Sequence, residues 1–171
     1  MTPLDLSHIE SLAGLIDRGL SRFGPKVALI EADRDHPAKT YTYDDFSRVS
    51  RSIAGMISDS IGPGDHAAIL MSNQSRWLFC ASAVFFRGAV LVPLDYKLGP
   101  QDQLALLAHS AAKVAFVEWP IYQRWIRENH PIPEGVRILV SDAPEKQEIP
   151  HERFERSLER SEEHTSELQS H

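Results

Sequence analysis

The feature that most constrains the fold is an alternation of short apolar runs with longer segments of helical periodicity. Four runs of strand length, HAAILM, AVLVPLD, KVAFVE and GVRILVSD, occur in this order between residues 66 and 142. Helix-like segments separate the first three, and another lies between the third and the fourth. Such βα units require a parallel sheet that is covered on both faces. The sequence therefore predicts an α/β fold with a mostly parallel sheet flanked by helices.

The residues ahead of the first apolar run predict two amphipathic helices and a pair of short strands. One helical face is apolar at Leu12, Leu15, Ile16, Leu20 and Phe23. The runs KVALIEAD and KTYTY predict strands that flank the turn-rich DRDHPAK and form a hairpin or edge strands. Thr42 ahead of Asp45 predicts a capped start for the second helix, and Gly62, Pro63 and Gly64 predict its end.

Two helices are predicted between the later strands. The segment 76–87 is apolar almost all round, which predicts a helix buried on several sides. Gly99 and Pro100 open a second helix, and three of its residues share an apolar face: Leu104, Leu107 and Ala108. The charge-rich stretch 145–160 after the last strand predicts a solvated linker or helix.

The segment WPIYQRW, residues 119–125, predicts a short helix that combines aromatic and basic side chains. Such a mix could stack on nucleic-acid bases, but it is equally typical of an amphipathic helix packed on a core. The formal net charge of −6 over 171 residues favours packing and gives no bias toward nucleic acid. We therefore expect no nucleic-acid partner.

The cysteine content and the apolar runs predict a cytoplasmic protein. The one cysteine, Cys80, lies in an apolar run and cannot form an internal disulfide, which is typical of a buried thiol in a reducing compartment. The N-terminus has no secretory h-region. The longest apolar stretch, 77–86, is shorter than the ~20 residues of a transmembrane helix, so no transmembrane segment is expected.

The segment GPGDHA, residues 62–67, fits the pattern G-x-G-x-x-A, which cradles a pyrophosphate in dinucleotide-binding folds. In those folds the glycines follow a strand and open a helix, whose N-terminus faces the anion. Here they follow a predicted helix and precede a predicted strand. We interpret them as a helix stop, and the hypothesis of a dinucleotide-dependent oxidoreductase fails on this context.

The common catalytic signatures are missing from the sequence. None of the eight histidines pair at a spacing of three or four, which argues against a zinc site. The sequence has neither a G-x-S-x-G elbow nor a G-x-x-x-x-G-K-[ST] loop. We assign no catalytic, cofactor-binding or metal-binding residue.

The order of several segments resembles the opening of the AMP-forming acyl-CoA synthetase family. These segments are YTYDDF, GPGDHAAILMSNQSRW, FRGAVLVPLDYKL and SAAKVAFVE, and the resemblance covers about residues 10–145. The adenylate-forming superfamily also contains peptide-synthetase adenylation domains and luciferases. The resemblance implies that the chain is a partial N-terminal domain of the adenylate-forming fold. Asn73 and Trp77 resemble the long-chain fatty acyl-CoA ligases, whereas Arg76 departs from the acidic residue often found before that tryptophan.

For a full-length enzyme the resemblance implies ATP, Mg²⁺, coenzyme A and a carboxylate substrate such as a fatty acid. The carboxylate attacks the α-phosphate of MgATP, giving an acyl-adenylate and pyrophosphate, and coenzyme A then displaces AMP. In the family the phosphate-binding loop, the acidic residue and the mobile lysine lie downstream of the matched region. We therefore expect this chain to be inactive alone and to bind no cofactor. Arg87 and Lys97 could line a coenzyme A path or be plain surface charges.

The final segment, RSEEHTSELQSH at residues 160–171, resembles the in-frame translation of a sequencing-library adaptor. We expect residues 1–159 to be the incomplete N-terminal part of a synthetase domain and 160–171 to be an artefactual tail. A native polar helix is the alternative for this tail. A stand-alone, non-enzymatic α/β module that binds a small ligand is the alternative for the whole chain.

Overall fold

A computed structural model describes residues 10–32 and 37–169, with side chains described as far as residue 161. Within these residues the chain forms six helices and seven strands. In chain order they are α1 Leu12–Phe23, β1 Val27–Glu31, β2 Lys39–Thr42, α2 Tyr43–Met56, β3 His66–Leu70, α3 Ser75–Phe86, β4 Val90–Pro93, α4 Pro100–His109, β5 Ala112–Glu118, α5 Trp119–Arg127, β6 Arg137–Ser141, β7 Glu152–Arg153 and α6 Phe154–Gln169.

The main sheet has five strands in the order β4-β3-β5-β6-β7, and every neighbouring pair is parallel. This arrangement confirms the predicted α/β fold with a parallel sheet. The two early strands, β1 and β2, form a separate antiparallel pair, which confirms the predicted pairing. Four of the seven residues between these strands, 33–36, lie outside the described residues.

The sheet is covered on both faces, and each face has its own apolar core. Helices α2, α3 and α6 pack on one face, where Phe116 and Leu139 point. Helices α4 and α5 pack on the other face, where Val117 and Val140 point. Adjacent residues of one strand thus belong to different cores, as the alternation of side chains along a strand requires.

Helix α2 begins with a capping box at Thr42 and Asp45. The Asp45 N–H donates to Thr42 Oγ1 at 3.0 Å, and the Thr42 N–H donates to Asp45 Oδ2 at 3.0 Å. Thr42 Oγ1 also donates to Asp45 Oδ2 at 2.7 Å, and the two bonds that the carboxylate accepts from Thr42 hold the pKa of Asp45 below its ordinary value. The predicted start of α2 is therefore confirmed.

The predicted end of α2 was wrong by several residues. The helix ends at Met56, with Ile57 as its C-cap, and turns follow before residues 62–64. Gly62 and Gly64 instead belong to the turn that enters β3. The Gly62 N–H donates to Asp65 Oδ2 at 3.0 Å, and Gly64 has a φ of 81°, in the left-handed region that favours glycine. No helix starts there, so the dinucleotide-binding hypothesis is contradicted.

Strand β4 lies at the edge of the main sheet, and Val90 is 45% exposed. A run of valine and leucine suits an edge or a central strand, but Pro93 cannot donate to a neighbouring strand and therefore favours an edge. The predicted helix 76–87 does lie largely buried, as α3.

Helix α4 turns a polar side chain into the core. Leu104 and Leu107 are buried as predicted, but Ala108 is exposed and Gln103 is 1% exposed. Gln103 Nε2 donates to the Tyr96 carbonyl at 3.0 Å, and its Oε1 accepts from Trp125 Nε1 at 2.9 Å. The amide thus satisfies the buried indole N–H of α5 and a part-buried carbonyl of the loop before α4, which explains why a glutamine occupies this position.

Arg137 joins three elements at the start of β6. Its Nε and Nη2 donate to the two carboxylate oxygens of Glu152 at 2.8 and 2.9 Å. Its Nη1 donates to the Met56 carbonyl at 3.0 Å and to Ser60 Oγ at 2.8 Å. This fork fixes the short strand β7 and the end of α2 against the sheet, and the hydrogen bond from Arg137 lowers the pKa of Glu152.

We expect Thr42→Ala to lower the free energy of unfolding by about 1 kcal/mol, because the α2 N-terminus loses its side-chain acceptor. Urea denaturation of the 171-residue chain measures this change. Thr40→Ala, on the exposed part of β2, is the matched control and should change stability by less than about 0.5 kcal/mol. Equal effects of the two substitutions would contradict the capping role.

We expect Gln103→Ala to destabilise the chain by about 2 to 4 kcal/mol, because the Trp125 indole N–H and the Tyr96 carbonyl both lose a buried partner. Gln101→Ala, on the exposed face of the same helix, removes the same amide and should change stability little. The difference between the two urea midpoints tests the bridge. A difference within experimental error would show that water or neighbouring groups replace the amide.

Candidate functional site

The candidate site lies at the carboxyl edge of the parallel sheet, between β3 and β5. The connection that leaves β3 runs through α3 on one face to β4, whereas the connection that leaves β5 runs through α5 on the other face to β6. Two neighbouring strands whose connections diverge in this way leave a crevice at their carboxyl ends. Open α/β sheets bind ligands at this switch point.

In this chain the crevice holds the loop that leads from β3 to α3. Glu118, the last residue of β5, accepts three hydrogen bonds from that loop through its Oε2 atom. The donors are the Ser72 N–H at 3.0 Å, Ser72 Oγ at 2.8 Å and Gln74 Nε2 at 2.8 Å. Hydrogen bonds to a charged acceptor are stronger than neutral ones, so Glu118 fixes the loop conformation.

A second carboxylate fixes the start of α3. Glu31, at the end of β1, accepts from Ser75 Oγ at 2.7 Å and from the Ser75 N–H at 3.3 Å. The N-cap residue of α3, Gln74, makes no side-chain capping bond. Glu31 thus supplies the acceptor and the negative charge that a helix N-terminus favours, from a distant strand.

The two residues that carried the subfamily resemblance, Asn73 and Trp77, line one cavity. It has a volume of about 530 Å³ and lies between the end of β1 and the first turn of α3. Its lining is Leu29, Ile30, Glu31, Ala32, Asn73, Gln74, Ser75, Trp77 and Leu78. A cleft of this size with apolar walls and a polar end is typical of small-molecule sites.

Arg76 turns away from this cavity toward β6 and α6. Its guanidinium pairs with Asp142 and, at 3.5 Å, with Glu155, and it lies 5.4 Å from the centre of the Phe154 ring. Burial acts to lower the pKa of Arg76, but the hydrogen bond and charge of Asp142, with the charge of Glu155, outweigh it and raise that pKa. The departure at this position therefore serves as a tie between α3 and α6.

The structure does not bring Arg87 and Lys97 together. Arg87 ends α3 at the amino edge of the sheet, and its guanidinium donates to the carbonyls of Ile61 and Ser58 at 3.3 and 3.2 Å. Lys97 is exposed in the loop after β4, with its ammonium 5.7 Å from the centre of the Tyr96 ring. Arg87 thus has a structural role, and a coenzyme A path along either residue stays a prediction.

Two other sequence interpretations are confirmed. Tyr122 and Trp125 of the WPIYQRW segment are fully buried, so they pack in the core. Cys80 is fully buried as well, and burial raises the pKa of its thiol. Among residues 10–32 and 37–169, no group of histidine, cysteine, aspartate and glutamate could hold a metal ion, and no helix could cross a membrane.

Sequence reasoning missed Glu31 and Glu118, the two residues that organise the site. The available signal was an acidic residue directly after an apolar strand, in VALIE and in KVAFVE. Such a residue lies at the edge of the sheet where loops meet. Glu31 binds Ser75, which is 44 residues away along the chain, and Glu118 binds Ser72, which is 46 residues away. No local sequence pattern identifies such distant partners.

Comparison with known proteins places the whole arrangement in one family. The sequence profile of the family described as "AMP-binding enzyme" matches residues 16–170. The chain is 20% identical over 152 residues to the crotonobetaine/carnitine–CoA ligase of Citrobacter koseri, covering 86% of this chain and 29% of that protein. It is 35% identical over 82 residues to the 2-succinylbenzoate–CoA ligase of Bacillus velezensis, covering 47% and 17%.

A solved structure shows the same fold. The long-chain-fatty-acid–CoA ligase FadD1 of Archaeoglobus fulgidus superposes with a TM-score of 0.72 at 21% identity, covering 87% of this chain and 29% of that one. The chain thus spans less than a third of the length of each of these three proteins.

We expect Glu118→Ala to release the loop 72–74. Three donors lose a charged acceptor, so exchange of the Ser72 amide with solvent should accelerate by about tenfold or more. Hydrogen exchange followed by NMR measures this rate. Glu134→Ala, at an exposed glutamate, is the matched control and should leave the rate unchanged. An unchanged rate in Glu118→Ala would show that the loop is held by other contacts.

Proposed function

The chain belongs to the AMP-binding enzyme family, and from this premise we propose that it is the N-terminal part of an ATP-dependent, AMP-forming carboxylate–CoA ligase. The observation that carries the proposal is the family match over residues 16–170 together with the share of its relatives that the chain spans. Both curated relatives are named as CoA ligases, and FadD1 has the same fold.

In the proposed full-length enzyme, this part is a scaffold. The carboxylates at the carboxyl edge of the sheet bind protein donors: Glu118 holds Ser72 and Gln74, and Glu31 holds Ser75. The described residues include no cluster of histidine, cysteine, aspartate or glutamate side chains that could hold a metal ion. ATP, Mg²⁺ and coenzyme A belong to the proposed whole enzyme, and this chain alone is proposed to be inactive.

A fatty acid is the proposed substrate of the whole enzyme. The support is the resemblance at Asn73 and Trp77, whose side chains both line the cavity beside α3. The two curated relatives are named for other substrates, a carnitine compound and 2-succinylbenzoate. The shared chemistry is therefore transfer of an acyl group to coenzyme A, and the choice of acid is the finer proposal. A cytoplasmic location stays a prediction.

We propose that the native part of this chain ends near Glu159 and that residues 160–171 are the artefactual tail. The backbone of α6 continues to Gln169, but a helical backbone does not identify the origin of the residues, since glutamate and leucine have a high helix propensity in native and artefactual sequence alike. Re-sequencing the source locus with primers well outside the codon for Glu159 tests this directly. A native stop codon after His171 would contradict the proposal.

The exposed apolar side chains favour a part of a larger protein over a self-contained binding module. Ile30 is 66% exposed, and Val27 and Val90 are 54% and 45% exposed. Val27 and Ile30 are in β1 and Val90 is in β4, which is the edge strand of the main sheet. Such residues are expected where further chain packs. The cavity of about 530 Å³ is the feature that supports the module instead.

We expect the purified chain to release no pyrophosphate from ATP, Mg²⁺ and a fatty acid, with or without coenzyme A. A coupled pyrophosphate assay measures this, and an intact AMP-forming CoA ligase is the positive control. The chain should also bind a hydrophobic dye and self-associate, whereas a self-contained module should be monomeric and should not bind the dye. Pyrophosphate release by residues 1–159 would overturn the assignment as an inactive part.

A further inference from the structure

The segment between β6 and β7 contacts helix α5 through His151 and Tyr122. We propose that residues 143–151, which we call the strap, form a latch that docks on α5 while His151 is neutral and releases when its imidazole is protonated. The inference concerns contacts within this chain and does not depend on the proposed ligase function.

The latch contact joins His151, at the end of the strap, to Tyr122 of α5. The Tyr122 hydroxyl lies 2.6 Å from His151 Nδ1, and the two rings meet edge to face with centres 5.5 Å apart. Tyr122 is fully buried, so its O–H needs an acceptor within the protein. A neutral imidazole that carries its proton on Nε2 provides that acceptor at Nδ1.

The strap has a second anchor, which is formed by Arg153. Arg153 of β7 donates through Nη1 to the Ala143 carbonyl at 2.7 Å and through Nη2 to the Pro144 carbonyl at 2.8 Å, and it also contacts the Gln147 carbonyl. An arginine guanidinium is protonated throughout the pH range in which a histidine side chain titrates. Protonation of His151 therefore loosens the end of the strap on α5 and leaves its beginning tied to Arg153.

The charged surroundings of His151 are mixed in sign. A cavity of about 790 Å³ lies beside it, and α5 contributes Tyr122 on the opposite side. The charged groups that line this cavity come from the strap, from β7 and from α6: Glu145, Lys146, Glu148, Arg153, Arg156, Glu159 and Arg160. No ion pair of His151 with any of these carboxylates occurs among the described contacts, so burial dominates its behaviour.

Protonation opposes the docked strap in two ways. Burial lowers the pKa of His151 below its ordinary value of 6.5, which means that the docked state favours the neutral ring. Burial also raises the pKa of Tyr122 to about 12, so this hydroxyl remains a donor. Once both ring nitrogens carry protons, the Tyr122 O–H has no acceptor. The stabilisation is complete above about pH 6.5 and is lost as the pH falls toward the lowered pKa of His151.

Hydrogen exchange of the strap amides in the full 171-residue chain, corrected for intrinsic exchange rates, tests the latch. Between about pH 7.5 and about pH 5 we expect their protection to fall by about tenfold, because the docked strap loses its acceptor as His151 is protonated. His151→Gln keeps a side-chain acceptor without a titration, so it should abolish this pH dependence. His130→Gln, at a histidine that pairs with Glu128 outside the strap, is the matched control and should retain it.

Equal pH dependence of strap protection in the unmodified chain and in His151→Gln would overturn the proposal. If His151→Gln does not fold, imidazole ¹⁵N shifts of the unmodified chain provide the second measurement. The latch requires His151 to be the Nε2–H tautomer at neutral pH and to titrate below about 6.5. An Nδ1–H tautomer, or titration at or above that value, would equally contradict it.

Discussion

The structure depends on burial of both faces of a parallel sheet. Strands β3 and β5 lie inside the sheet, and eight of their residues from Ala67 to Leu70 and from Val114 to Val117 are fully buried. Burial at this level contributes roughly 25 cal/mol for each Å² of apolar surface removed from water. It is available only if helices cover both faces, so the alternation of strands and helices follows from it. The direction of each connection then fixes the crevice between β3 and β5.

Periodicity was enough to predict helices α1 to α5 and the main strands, because each of these elements has a repeat that burial imposes on its own residues. It failed where a long-range contact decided the outcome. Helix α2 ends at Met56 because Arg137 and the following turns take up its last carbonyls, which no local signal shows. Gln103 is buried because Trp125 and Tyr96 need its amide. The two-residue strand β7 pairs with β6, and the fork of Arg137 on Glu152 holds it there.

At the candidate site, too, the sequence identified some residues, whereas others are identified only by long-range contacts. The resemblance identified Asn73 and Trp77, and the structure places both on one cavity. It did not identify Glu31 or Glu118, since their importance comes from loops that meet them in space. Arg76 was noted only as a departure from the family pattern. The structure shows the role of Arg76, because its guanidinium pairs with Asp142, directly after β6, and with Glu155 in α6. Both partners lie far from Arg76 along the chain.

The distribution of the carboxylates explains why this region suits a scaffold. A carboxylate that binds a metal ion or a ligand needs lone pairs that the protein has not already used. Among the described residues, Glu31 accepts from the first residue of α3, and Glu118 accepts from the loop before that helix. Asp142 and Glu155 pair with Arg76, and Glu152 is held in the fork of Arg137. These acids thus hold one element against another. Loops fixed in this way hold the ends of the strands in a constant position, and this is the contribution that we propose for the chain within a whole enzyme.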